Sequence, residues 1–105
     1  MVFIETSIFT RQVTNLLNDD EYRELQIALS LHPDAGAIIP HSGGLRKIRW
    51  SMMGRGKRGG VRAIYYWVVA KDQILMLFMY PKSEKDDLTP KQLKVLREVV
   101  EKEFK

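Results

Sequence analysis

Hydrophobic residues recur at helical spacing from Ile8 through Phe9, Val13 and Leu16 to Leu17, which predicts a first helix. It follows a short strand candidate, Val2 to Glu5, and Thr6 or Ser7 is placed to cap it. Asn18, Asp19, Asp20 and Glu21 have capping-box spacing and open a second helix, with Tyr22, Leu25, Ala28, Leu29 and Leu31 as its expected buried stripe. Pro33 disfavours helical geometry at His32 and ends that helix, so Asp34 to Gly44 reads as a loop. From Leu45 the period changes to two. Arg46, Ile48 and Trp50 share one face of a strand, and Leu45, Lys47, Arg49 and Ser51 share the other. A glycine-rich loop, Met52 to Gly60, leads into Val61 to Ala70, whose β-branched and aromatic run carries too little charge for an edge and predicts a central strand. Lys71 to Gln73 is a tight connection to a second apolar strand, Ile74 to Tyr80, giving a hairpin covered by helices on part of both faces. After the polar connector PKSEKDDL, Thr89, Pro90 and Gln92 mark a helix start, with Leu93, Leu96, Val100 and Phe104 as the inner stripe. The predicted order is β-α-α-β-β-β-α. This is an α+β fold, a mainly antiparallel sheet carrying two N-terminal helices and a C-terminal one, in a single domain over residues 1–105.

Charge changes the picture more than size does. The 105 residues carry a formal charge of +4, and the 45% hydrophobic content suits one modest core. The distribution is uneven: no acid lies between Asp34 and Asp72, all seven glycines fall between Gly36 and Gly60, and Leu45 to Arg62 holds seven of the seventeen Lys and Arg residues. An acid-free basic stretch of this kind calls for an anionic partner. Acids gathered from Asp19 to Glu24 read as helix caps and solvated surface.

Several chemistries are excluded. Without cysteine there is no disulfide, thiolate nucleophile or cysteine-bound zinc, and His32 and His41 lack metal-ligand spacing. GRGKRGG lacks the Ser or Thr of a P-loop, and no dinucleotide fingerprint, Ser-His-Asp set or metal-carboxylate cluster is present. No metal or cofactor is expected. The N-terminus has no signal-peptide pattern and no apolar run approaches the roughly 20 residues of a membrane span, so a soluble cytoplasmic protein is expected.

The basic hairpin admits three readings: a solvated loop, a nucleic-acid grip, or a phosphodiester-cleaving site. For the last, RNA cleavage needs an activated 2′-oxygen, neutralised charge on the phosphorane and a stabilised 5′-oxygen. Lys and Arg can neutralise that charge without a metal, and Arg62 on a strand can offer a bidentate fork. Glu84, between Lys82 and Lys85, is the best-placed carboxylate, and Tyr80 at a strand end can stack on a base or donate its hydroxyl.

GGLRKIRW, then GKRGG running into VRAIYYW, then a hydrophobic strand ending MYPKSEKDDLT, resembles the RelE/HigB superfamily of bacterial toxins, especially its HigB-like branch. The resemblance implies a small RelE-like fold and a ribosome-dependent, metal-independent endoribonuclease that cuts messenger RNA. It also implies a neutralising antitoxin, a HigA-like helix-turn-helix protein through which alone operator DNA would be met, with the ribosome and messenger RNA as further partners and no membrane. Lys47 and Arg49 fall where the family keeps basic residues on its first central strand, Arg62 where an arginine opens the next, and Lys82 and Lys85 after the last long strand. Lys47, Arg49, Arg62, Lys82, Lys85, Tyr80 and Glu84 are therefore the catalytic candidates, and Arg46, Arg55, Lys57 and Arg58 the RNA-gripping ones. Ser83 and Thr89 depart from the archetypal RelE pattern, which has an arginine and nearby a tyrosine there; Tyr80 is the candidate for the missing ring. Two alternatives stay open: a ParE-like inhibitor of DNA gyrase and a non-catalytic RNA-binding module.

Overall fold

The computed structural model describes residues 1–51, 60–85 and 87–104. Its elements are β1 (Val2–Glu5), α1 (Ser7–Leu16), α2 (Asp19–Leu31), β2 (Ala37–Ile38), β3 (Arg46–Trp50), β4 (Val61–Val68), β5 (Gln73–Pro81) and α3 (Pro90–Phe104). The described strands form one sheet in the order β1-β5-β4-β3-β2. β1 runs parallel to β5, and every other pairing is antiparallel. β4 is central, as its β-branched and aromatic run, interrupted by Arg62 alone, predicts.

All three helix starts use the expected caps. The Thr6 hydroxyl accepts from the Phe9 amide at 3.0 Å. Asn18 and Glu21 form the reciprocal capping box, both bonds 2.8 Å, and Thr89 and Gln92 do the same at 2.9 and 3.1 Å. Each box satisfies donors that the helix itself leaves open.

The sheet separates two cores. On one face α1 and α2 pack Phe9, Val13, Leu17, Leu25 and Leu29 against Ile48, Val61, Ala63, Tyr65, Ile74, Met76 and Met79. On the other, α3 and the segment before it pack Leu88, Leu96 and Val100 against Leu45, Ile64, Leu75, Leu77 and Tyr80. Two expected stripe residues lie outside this scheme: Ile8 is 47% and Leu31 70% exposed. Leu31 is the last residue of its helix and stands two positions after the buried Leu29, so at about 100° per residue it points to the opposite side of the helix from the Leu25 and Leu29 stripe. The Phe104 side chain lies outside the described residues.

Three further differences from the sequence reading bear on the site. The expected loop between α2 and β3 contains β2, two residues paired with Lys47 and Arg46, too short for any periodicity to reveal. It is held from below, where the Tyr65 hydroxyl donates to the Pro33 carbonyl and accepts from the Gly36 amide, both at 2.8 Å. β4 ends at Val68 rather than Ala70, and a 3₁₀ turn, Val69–Lys71, with Asp72 at φ 52°, turns the hairpin. Last, the β4–β5 register slips. Ile64 pairs with Phe78 and Tyr65 with Met76, so Leu77 is an extra residue on β5. Such a bulge resets the alternation. Phe78 and Tyr80 consequently face the α3 core while Met79 faces α1 and α2.

Candidate functional site

Strand alternation sends Lys47 and Arg49 to the α3 face of the sheet, and Arg49 stands directly opposite Arg62 on β4. α3 covers only part of that face. Beyond it Lys47, Arg49, Arg62, Lys82 and Asp87 line an open cleft of about 310 Å³. The first three stand on paired strands in the middle of the sheet, so their separation is set by backbone hydrogen bonding rather than by side-chain choice.

Gly60 brings in the fourth cation. It adopts φ +68°, where a side chain is strained, and an added Cβ would lie 2.0 Å from the Trp50 carbonyl oxygen. That close crossing lets β4 begin immediately beside the end of β3. The Gly60 carbonyl then accepts from the Lys82 amide at 3.1 Å, which fixes the start of the connector after β5 next to Arg62.

Charge within the cleft is strongly unequal: among the described residues four cations and one acid line it. Arg62 is 4% exposed, its side chain held within the fold, whereas Arg49 is exposed. The Lys47 ammonium forms a hydrogen-bonded ion pair with Asp87. That bond and the Lys47 charge hold the Asp87 carboxyl below its ordinary range, slight desolvation opposes them, and Arg49 and Arg62 add to the lowering. Asp87 is thus an anion at neutral pH.

The structure divides the remaining candidates. Tyr80 is 4% exposed, its ring centroid 6.1 Å from that of Phe78. With Glu84 and Lys85 it lines a separate cleft of about 250 Å³, whose far wall is Gln12, Asn15 and Leu16 of α1. The two clefts flank the end of β5. Arg46 lies on the opposite sheet face, where its guanidinium donates to the Gly36 carbonyl at 2.8 Å and the Asp34 carbonyl at 3.3 Å. Arg55, Lys57 and Arg58 lie outside the described residues. Asp87 was not singled out from sequence: within PKSEKDDL it reads as one more solvated acid, and no local pattern ties it to a lysine forty positions earlier.

Elsewhere, Glu5, Thr10 and Tyr22 line a hollow between α1 and α2 of about 390 Å³. The Tyr22 and Thr10 hydroxyls both donate to Glu5 at 2.6 Å, so its two oxygens are already engaged. Burial, then the hydrogen bond to Glu5 and its charge, push the Tyr22 hydroxyl pKa well up. Among the described residues no group of three or more His, Cys, Asp or Glu could hold a metal ion, and no helix is long and apolar enough to cross a membrane.

Comparison with known proteins decides the family. The model of the RelE toxin of the RelE/RelB toxin-antitoxin system matches residues 6–105. The chain belongs to the RelE toxin family. The E. coli toxin RelE, solved in the free state as a double arginine-to-alanine mutant, has a similar fold: TM-score 0.60, 10% identity, with 93% of this chain and 94% of that one covered. As a RelE-family toxin the chain implies an antitoxin partner. At 10% identity the fold is shared while most side chains are not, so the chemistry of this RelE-family member has to be argued from its own cleft.

Proposed function

We propose that this RelE-family toxin is an endoribonuclease that cleaves messenger RNA on the ribosome without a metal ion. The observation that carries the proposal is the convergence of Lys47, Arg49, Arg62 and Lys82, among the described residues, on one open cleft. In RNA cleavage the neighbouring 2′-oxygen attacks phosphorus, its proton leaves, and the bond to the 5′-oxygen breaks as that oxygen gains a proton. Negative charge builds on the non-bridging oxygens between these events. Preorganised cations that need not rearrange are the effective response to such charge.

Arg62, buried and backed by strands on both sides, is suited to hold two phosphate oxygens with its planar fork. Arg49 faces it from β3 and is free to meet the RNA from solvent. Lys47 supplies a third charge, and Lys82 at the mouth is the candidate to serve the leaving oxygen. Lys85 and Glu84 would act from the adjoining cleft, on the nucleotide next to the scissile phosphate, and the buried Tyr80, paired with Arg62 across the strands, would brace the end of β5. Arg55, Lys57 and Arg58 would grip ribosomal RNA, and the resemblance carried by GGLRKIRW, GKRGG running into VRAIYYW, and MYPKSEKDDLT supports a HigB-like toxin, whose partner would be a HigA-like antitoxin in the cytoplasm.

Induced expression should arrest growth and leave transcripts cut within codons. Arg49→Ala, an exposed position, should lower cleavage by about 100-fold with an unchanged melting curve. Arrested cells with intact transcripts but accumulated cleaved DNA–gyrase complexes would replace the nuclease reading with a gyrase inhibitor.

A further inference from the structure

We infer that Asp87 is the resident anion of the cationic cleft: in the free protein its carboxylate stands where an RNA phosphate binds, and it must leave Lys47 before a phosphate enters. The inference rests on the reading of the cleft as a phosphate site.

The two partners of the ion pair are anchored differently. Lys47 is on β3, paired to Ala37 of β2 on one side and Ile64 of β4 on the other, and its side chain is only 21% exposed. Asp87 belongs to the connector and its side chain is 74% exposed. Leu88 next to it is buried in the α3 core and Thr89 caps α3, so the backbone there is held while the carboxylate is free to turn outward. Only Asp87 can yield.

Carboxylate and phosphate oxygens offer the same kind of acceptor to an ammonium or guanidinium group. Asp87 is ionised, it feels Arg49 and Arg62 as well as Lys47, and it is the one acid among the described residues lining the cleft. A phosphate entering that space would meet both its competitor for Lys47 and a like charge. Keeping the carboxylate there lowers the mutual repulsion of the cations in the free protein, and its displacement subtracts from the affinity for any simple anion. A ligand with many phosphates, gripping the surface at several points, bears that loss more easily than an isolated one.

The test uses the full chain and Asp87→Asn, which keeps size and polarity and removes charge. Both are titrated with inorganic phosphate, followed by NMR on the lysine and arginine side chains, and with a short 2′-O-methyl RNA that cannot be cut. The variant should bind both about fivefold more tightly at low salt, with the gain shrinking as salt rises. Equal or weaker binding by Asp87→Asn overturns the inference, and weaker binding identifies Asp87 as a brace that positions Lys47. Arg49→Ala separates the two levels. If that variant loses affinity while Asp87→Asn gains none, only the role of Asp87 falls; if Arg49→Ala binds phosphate and RNA as the parent does, the phosphate-site reading falls too.

Discussion

Substituting Gly60 by alanine probes whether one glycine sets the spacing of the cationic cleft. At φ +68° an alanine pays a conformational penalty of about 1–2 kcal/mol. The steric term is larger. Its Cβ would stand 2.0 Å from the Trp50 oxygen, 2.9 Å from the Ser51 Cα and 3.0 Å from the Trp50 carbonyl carbon, all backbone atoms at the end of β3. Relief requires the strands to part by roughly an ångström, and enforced shifts in packed structure cost about 1–3 kcal/mol. The sum, roughly 2–5 kcal/mol, is a large share of the about 5–15 kcal/mol that stabilises a domain. Gly44→Ala is the control, because its φ is also positive, +100°, but the added Cβ meets only the Tyr66 ring at 3.3 Å. Urea denaturation should place Gly60→Ala well below Gly44→Ala, and binding of 2′-O-methyl RNA should fall with it, since parting at Trp50 and Val61 separates Arg49 from Arg62 one pair further on. Equal midpoints for the two variants would refute the steric reasoning. A destabilised Gly60→Ala that binds RNA like the parent would show that the register at this crossing does not set the cleft.

Two tyrosines give further expectations. The raised pKa of Tyr22 means that the folded chain keeps its hydroxyl proton where the unfolded chain, near pKa 10, has lost it. Its contribution is complete below about pH 10 and is lost as pH rises further, so the urea midpoint should fall above pH 10, and less steeply in Tyr22→Phe; identical slopes would show that Tyr22 is not the linked group. Tyr65 is shifted in the same direction by burial. Tyr65→Phe should cost about 2 kcal/mol at neutral pH, because the buried Gly36 amide and the Pro33 carbonyl lose their partner, and hydrogen exchange at Gly36 should accelerate. Unchanged exchange there would mean that another group takes over the amide.

What could be read from the chain was what depends on near neighbours. Helical spacing located α1, α2 and α3, and capping residues fixed their starts to within a residue, because both act over one or two turns. The alternation from Leu45 likewise put Lys47 and Arg49 on one face, and the run from Val61 named the central strand. Placing Arg62 with them is a cross-strand matter: it needs the Trp50–Val61 pairing that Gly60 permits, and a glycine within a glycine-rich loop does not announce which one bears the crossing. Asp87 is further from reach, since its meeting with Lys47 depends on how α3 docks. The exposed Leu31 shows the reverse error: an apolar residue two positions after Leu29 lies on the far side of the helix, so being hydrophobic does not place it in the stripe.

The β5 bulge carries this point to the site itself. Had β5 kept strict alternation, Tyr80 would share the face of Met76, beneath α1 and α2 and away from Arg62. The extra residue at Leu77 instead turns Tyr80 into the α3 core, directly across from Arg62 on β4. A buried ring there does not stack on RNA; it walls one side of the strand end whose next residues lead to Lys82. The aromatic that sequence offers as a base-stacking group is thereby better understood as part of the support that keeps Arg62 fixed. Fixed position is what a guanidinium needs to stabilise a short-lived phosphorane, so under the proposed RNA cleavage the bulge would contribute to the chemistry without presenting any atom to the substrate.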